Sequence, residues 1–215
     1  MNLDKLQPAA DFGKGVYRLT EDDGYHHIHC YHKHLPWNEG ESHFLFMRYK
    51  DLDEPAEICV LELASGNVKV LGTAEYWSHH HAARQMWLPG RDEIIYHKDL
   101  AGNISTHAIV DLSGRVQTFK TPMTIAGAED KRVYVGYING QGIEIKDRRK
   151  FGLAGYLPES GETKLLCDFN RAIEMLPNKE AEDHFTFICN QAVVHPAGHP
   201  WVHFTFGNQS HNGIE

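Results

Sequence analysis

Histidine is concentrated in two short runs of this 215-residue sequence. Half of its 16 histidines fall in YHHIHCYHKH (25–34) and SHHHAAR (78–84). A neutral imidazole acts as a base near pH 7 and can bind zinc, manganese or iron. The arginine that ends the second run is a permanent cation whose N–H groups suit a carboxylate, sulfate or phosphate. The two runs therefore predict acid–base or metal chemistry on an acidic ligand.

A large polar residue recurs at one position of three similar apolar stretches. These residues, each three positions before a landmark (Trp37, Trp87 and Val194), are His34, Arg84 and Gln191. If the stretches are strands, residues two apart share a face. One face then carries Cys30, His32 and His34 together with His80 and Arg84, and the other carries His29, Tyr31 and His81. Either face could line a site.

A base and a cation in one site fit β-elimination on an acidic sugar. In that reaction a base removes the proton next to a carboxylate, and a cation or metal stabilises the charge that develops there. We take His80 and His81 as the candidate bases and Arg84 as the carboxylate clamp. His29 and Tyr31, on the opposite face from Arg84, are candidate substrate-binding residues.

The elements that must position these residues repeat along the chain. A Ser-Gly pair lies between two strand-like runs in VLELASGNVKVL (60–71), AIVDLSGRVQTF (108–119) and GYLPESGETKLL (155–166). Glycine there supplies the positive φ that a tight hairpin needs. A second repeat superposes residues 35–49 on 85–99 and aligns Trp37 with Trp87. Helical periodicity is weak, and only residues 169–184 could hold a helix.

This spacing predicts an all-β fold, a β-propeller of four-stranded antiparallel blades. The predicted blades cover residues 25–72, 79–120, 121–168 and, incompletely, 185–215, with 169–184 as an insertion. GVYRLT (15–20) matches the outer strand of a blade, and the chain ends before a fourth Ser-Gly hairpin is due. We therefore expect residues 1–215 to be one partial propeller, the N-terminal part of a larger one.

Composition excludes several classes of partner. The net charge of −8 argues against a nucleic-acid binder, which usually presents a basic face. No run approaches the roughly 18 apolar residues of a membrane span. The N-terminus lacks the apolar segment of a signal peptide, so we expect a cytoplasmic protein unless a leader has been removed. The sequence leaves the oligomeric state open.

Two stretches resemble a known enzyme family. HAARQMWLPGRDEIIYH (81–97) and VLELASGNVKVLG (60–72) look like repeats of propeller-type polysaccharide lyases, chiefly oligogalacturonate lyases, with ulvan lyases related in fold. The resemblance implies about four blades of a seven-bladed propeller, acting on uronate-containing oligosaccharides by β-elimination. It also implies a histidine base with an arginine nearby.

The resemblance further implies a divalent metal, manganese more than zinc, held by histidines and a glutamine. The matching candidates here are His32, His34 and Gln191. The family's Gln-x-x-His-x-His ligand run is missing, because the nearest stretch here is QAVVH (191–195).

Two other functions remain open from the sequence. The chain could be a non-catalytic propeller that binds a carbohydrate or a protein through its histidine-rich face. It could also be the propeller domain of a serine hydrolase, although it contains no GxSxG nucleophile motif itself.

Overall fold

The computed structural model describes residues 7–8, 17–20, 22–128, 133–138, 149–175, 187–194 and 202–208. This part of the chain is built almost entirely from antiparallel strands. Strands β1 (Gln7–Pro8) and β2 (Tyr17–Arg18) form a short pair near the N-terminus. No helix among the described residues is long and apolar enough to cross a membrane.

The first four-stranded sheet follows the chain from one edge to the other. Its strands are β3 (His26–His29), β4 (His43–Tyr49), β5 (Ala56–Glu62) and β6 (Val68–Ala74), in the order β3-β4-β5-β6. The two central strands are rich in apolar residues and are buried over most of their length, whereas β6 is largely exposed. Burial of β4 and β5 therefore supplies most of the hydrophobic stabilisation of this sheet.

The next two sheets repeat the same meander. The second contains β7 (Met86–Trp87), β8 (Glu93–Ala101), β9 (Ile104–Asp111) and β10 (Val116–Thr121). The third contains β11 (Thr124–Ala128), β12 (Tyr134–Ile138), β13 (Gly152–Leu157) and β14 (Glu162–Asp168), and the last pair is β15 (Phe187–Val194) with β16 (Val202–Asn208). Successive four-stranded meanders are the strand order of propeller blades.

One helix, α1 (Phe169–Glu174), follows the third sheet. The Asp168 side chain caps it by accepting a hydrogen bond from the backbone N–H of Arg171, at 2.8 Å. The helix lies at the start of the insertion predicted for 169–184, and residues 176–184 lie outside the described part of the chain.

The chain divides into two compact units. The first comprises residues 1–87, 91–98 and 109–117, and the second comprises 88–90, 99–108 and 118–215. The division passes through the second sheet. Both histidine-rich runs belong to the first unit, whereas Gln191 belongs to the second.

The all-β prediction and the three Ser-Gly hairpins are confirmed. Each hairpin joins the third and fourth strands of a sheet, and Gly66, Gly114 and Gly161 have φ values of 77°, 92° and 70°. In each turn the glycine N–H donates to the carbonyl of the residue that ends the third strand, Glu62, Asp111 or Leu157, at 2.8–2.9 Å. Only glycine takes this left-handed conformation without steric cost.

Gly72 is required by close packing against Tyr96. A methyl group at residue 72 would overlap the Tyr96 hydroxyl oxygen and come within 3.1 Å of the ring carbon Cζ. Tyr96 is only 1% exposed, so its ring has little room to move. The outer strand of the first sheet therefore fits against β8 only with glycine at this position.

Replacing Gly72 by alanine should lower the free energy of unfolding by about 1–3 kcal/mol, because overpacking of a tight core costs that much. Urea denaturation measures the change. Gly40→Ala, where the added methyl meets only ordinary contacts at 3.8–3.9 Å, is the matched control and should change little. A cost for Gly72→Ala that is just as large in a Tyr96→Phe background would show that the hydroxyl contact is not the cause.

Candidate functional site

The two histidine-rich runs leave the sheets at equivalent places. In the first sheet, β3 pairs with β4 as far as His29, and the chain rejoins β4 where Trp37 bridges Phe44. In the second sheet, the backbone N–H of Tyr76 bonds to the carbonyl of Lys98, and after the histidine run β7 pairs with β8, with Met86 opposite Ile95 and Trp87 opposite Ile94. We call residues 30–36 the first loop and residues 78–84 the second loop. The alignment of Trp37 with Trp87 is thus confirmed, since both rejoin the sheet after a loop.

The expectation that the histidine runs continue along strands is wrong for the site residues. Of the predicted residues in the two runs, His29 ends strand β3, and the others lie in the two loops: Tyr31, His32, His34, His80, His81 and Arg84. In the first loop, the N–H of His34 bonds to the carbonyl of Tyr31 at 2.8 Å and closes a turn. In the second loop, Ala82 and Arg84 adopt left-handed φ values of 50° and 51°. Strand alternation therefore does not apply to either loop.

The second loop is held by a short network of hydrogen bonds. The Ser78 hydroxyl accepts the N–H of His81, and the Ser78 N–H donates to the carbonyl of Ala82, both at 3.1 Å. The N–H of Ala83 donates to Oε1 of Gln85, a fully buried side chain, also at 3.1 Å. This network fixes the strained turn from which Arg84 projects.

A small pocket opens beside the second loop. It has about 250 Å³ of empty volume and is lined by Tyr76, Trp77, Ser78, His81, Ala82, Ala83, Arg84 and His97. His81 and Arg84, which the strand pattern placed on opposite faces, therefore meet in one pocket. This volume includes space that is open to solvent, so it sets no size limit on a ligand.

Tyr31 joins the two loops. Its ring, in a residue only 6% exposed, lies 4.9 Å from the His81 ring and 5.7 Å from the His80 ring, measured between centroids. On its own loop, Tyr31 contacts the His32 ring at 4.1 Å, and the Lys33 ammonium lies 5.3 Å from the Tyr31 centroid. Tyr31 is thus a packed platform that brings the histidines and the lysine together.

The groups around Tyr31 form a positively charged cluster. Burial, together with the charge of Arg84, lowers the pKa of Lys33 to about 8. Burial and repulsion from Lys33, Arg84 and His32 lower the pKa of His34 to about 4. Burial, followed by repulsion from Arg84, His80, Lys33 and His32, lowers the pKa of His81 to about 4. Every charged group that shifts these three pKa values is a cation or a histidine, so the cluster favours an anion.

The remaining predicted residues are placed as follows. His32 and His80 are exposed. His29 is exposed at the end of β3, where its Nδ1 donates to the carbonyl of Cys30. Gln191 lies in a register shift of β15 between Asn190 and Val193, in the second unit, and its side chain is outside the described residues.

The predicted metal ligands are only partly covered by the described residues, because the side chain of Gln191 lies outside them. Among them, no group of three or more His, Cys, Asp or Glu side chains is arranged to hold a metal ion. His34 shares its surroundings with the cations Lys33 and Arg84, which repel a dication as they repel a proton. The metal set of His32, His34 and Gln191 therefore remains a prediction from the resemblance, and no chemical step is derived from it.

Sequence reasoning missed two residues of the site. Lys33 lies between the predicted ligands His32 and His34, where the sequence His-Lys-His was a visible sign of a local positive charge. Trp77 directly precedes the second loop and lines the pocket. The sequence indicated its role only through its position directly before the second histidine run.

Comparison with solved structures gives a partial likeness. The chain is similar to TolB from Acinetobacter baumannii, with a TM-score of 0.48 and 12% sequence identity, over 75% of this chain and 34% of the TolB chain. This chain therefore spans about a third of the length of TolB. No protein-family model matches the chain, and no curated protein matches it significantly.

The backbone strain in the second loop can be tested with a pair of glycine substitutions. Ala82→Gly should leave the free energy of unfolding unchanged or raise it by up to about 1 kcal/mol, because glycine accepts φ = 50° without strain. Ala83→Gly is the matched control, since Ala83 is equally buried but has an ordinary backbone conformation. It should lower the unfolding free energy by roughly 0.5–1 kcal/mol. Equal losses in urea denaturation would contradict strain at Ala82.

Stability should also fall on mild acidification because of His34. The pKa of His34 is about 4 in the folded chain, against 6.5 for an ordinary histidine. As the pH falls, the unfolded state therefore binds a proton before the folded state does. This contribution is fully present above pH 6.5 and is lost progressively towards pH 4, by roughly 1–3 kcal/mol. Urea midpoints measured across that range should fall less steeply in His34→Gln. An identical slope would show that His34 titrates normally.

Proposed function

We propose that this chain is part of a propeller-type lyase that cleaves uronate-containing oligosaccharides by β-elimination. The observation that carries the proposal is the cluster in which the cations Lys33 and Arg84 lie beside the neutral imidazoles of His34 and His81. This cluster belongs to a chain whose net charge is −8. A local concentration of positive charge on an acidic chain attracts a small anion while the rest of the surface repels one.

Arg84 and His81 divide the proposed chemistry between them. The Arg84 guanidinium binds the uronate carboxylate and stabilises the negative charge that develops on it when the adjacent C–H proton leaves. His81 accepts that proton. The electron pair of the broken C–H bond forms a carbon–carbon double bond, and the glycosidic C–O bond breaks, so that the leaving oxygen departs and takes up a proton.

His81 suits the role of base better than its neighbour His80. His81 lines the same pocket as Arg84, whereas His80 is exposed and packs edge-on against His81 at 4.4 Å. The low pKa keeps the His81 imidazole neutral, and therefore able to accept a proton, at pH 7. A bound carboxylate offsets the charge of Arg84, which removes one cause of the low His81 pKa, while burial, the largest cause, stays.

A non-catalytic anion-binding module is the second candidate. It is favoured by the same low pKa, since in the free chain it makes His81 a weak base. In this case the cluster binds the acidic saccharide, and no bond breaks.

The test is ultraviolet absorbance of the unsaturated uronate during incubation with polygalacturonate or ulvan. His81→Gln should lower kcat by roughly 10²–10⁴-fold, the usual contribution of a general base. Arg84→Gln should lower kcat/KM by roughly 10²–10³-fold, and Arg84→Lys should recover part of the loss. His43→Gln, which removes an imidazole that lies outside the two loops and whose Nδ1 bonds to the Ser42 hydroxyl, is the matched control and should keep full activity.

Two results would decide against the lyase. Unchanged activity in His81→Gln would remove His81 as the base. A flat absorbance trace from the whole protein of which this chain is proposed to be part, with manganese or zinc supplied and binding of these polymers shown by calorimetry, would overturn the lyase and support the binding module.

A further inference from the structure

The pocket beside the second loop has two chemically different walls. His81 and Arg84 supply the positive wall, and Tyr76 and Trp77 supply an aromatic wall. A simple inorganic anion would use only the first wall. The second wall thus points to a ligand that carries an apolar surface next to its charge.

Trp77 is held in place by contacts on the first sheet. Its indole N–H donates to the carbonyl of Glu54 at 3.0 Å, and the ring of Tyr49 packs against it at 4.4 Å with an interplanar angle of 39°. Tyr49 is only 6% exposed, and its hydroxyl lies 3.1 Å from Nδ1 of His79. The indole is therefore fixed in orientation while it still lines the pocket, so little conformational entropy is lost when a ligand packs on it.

Tyr76 extends the aromatic wall towards the solvent. Its side chain is 45% exposed, a high value for a large aromatic residue, and its ring packs on His97 at 4.7 Å. Tyrosine, tryptophan and arginine are the residue types enriched at binding surfaces. Here one of each lines the same pocket.

We infer that the pocket binds a single ring of an acidic sugar, with the C–H face of the ring against Trp77 and its carboxylate on Arg84. The inference rests on the proposed function and adds a residue that discriminates between ligands. A pyranose ring has an apolar face of C–H groups that packs on an aromatic surface, and the exocyclic carboxylate of a uronate lies at the edge of that ring.

The test compares a sugar acid with an anion that has no ring. Calorimetry on the full chain measures binding of oligogalacturonate and of sulfate to the wild type and to Trp77→Leu and Trp77→Phe. Trp77→Leu should weaken oligogalacturonate binding about tenfold and leave sulfate binding unchanged, because only the sugar uses the aromatic wall. Trp77→Phe keeps an aromatic ring and should lose less.

Trp87→Phe is the matched control. Trp87 is also half-buried, and its indole N–H also donates to a backbone carbonyl, that of Pro36 at 2.9 Å, but it does not line the pocket. It should leave both affinities unchanged. Thermal unfolding of each variant establishes that it is folded, and Trp77→Phe carries the comparison if Trp77→Leu does not fold.

Three outcomes would overturn the inference. Equal weakening of sugar and sulfate binding in the Trp77 variants would mean that Trp77 acts only through the fold of the second loop. Unchanged sugar binding would mean that the ring lies elsewhere, although the charged cluster could still bind its carboxylate. A wild-type chain that binds neither probe would overturn the proposed function as well.

Discussion

The packing of Tyr31 between the two loops is the contact on which the candidate site depends. One phenol ring meets His32 and the Lys33 ammonium on its own loop and His80 and His81 on the other. Apolar burial and ring contacts at Tyr31 hold together groups that would otherwise repel one another. The lowered pKa values of Lys33, His34 and His81 are the electrostatic consequence of this packing. An anion is the natural partner of such an arrangement, since it removes the repulsion.

Repetition of the sheet explains how the site is assembled. The first and second sheets each have a loop before their second strand, and a tryptophan pairs with that strand after the loop, Trp37 with Phe44 and Trp87 with Ile94. The loops differ in sequence, so one contributes a lysine and the other an arginine at a shared location. A repeated scaffold thus fixes the place of the loops, and the loops alone determine the chemistry.

Local sequence signals predicted the fold well. The Ser-Gly hairpins could be predicted because a turn with positive φ favours glycine, as at Gly66 and Gly114. The alignment of Trp37 with Trp87 was correct because the two residues pair at equivalent positions, Trp37 opposite Phe44 and Trp87 opposite Ile94. The blade boundaries and the propeller as a whole stay predictions, since they depend on contacts between sheets rather than on local pattern.

The candidate site was harder to predict for physical reasons. Ala82 and Arg84 take left-handed backbone conformations although neither is a glycine. No residue type in the second loop signals such a turn, so the loop was predicted to be a strand. Arg84 and His81 were correctly singled out as chemically important types, but their common pocket depends on that turn. The sequence pattern did not indicate Trp77, because contacts with Glu54 and Tyr49 fix its position and both residues are distant in sequence.

The most direct test of an anion site at this cluster is nuclear magnetic resonance of the histidine side chains during titration with oligogalacturonate. If oligogalacturonate binds at this cluster, the imidazole signals of His34, His80 and His81 should shift together during the titration. The signals of His43 and His107, which lie outside the cluster, should not shift. Shifts confined to histidines outside the two loops, or no shift at saturating ligand, would contradict binding at this cluster.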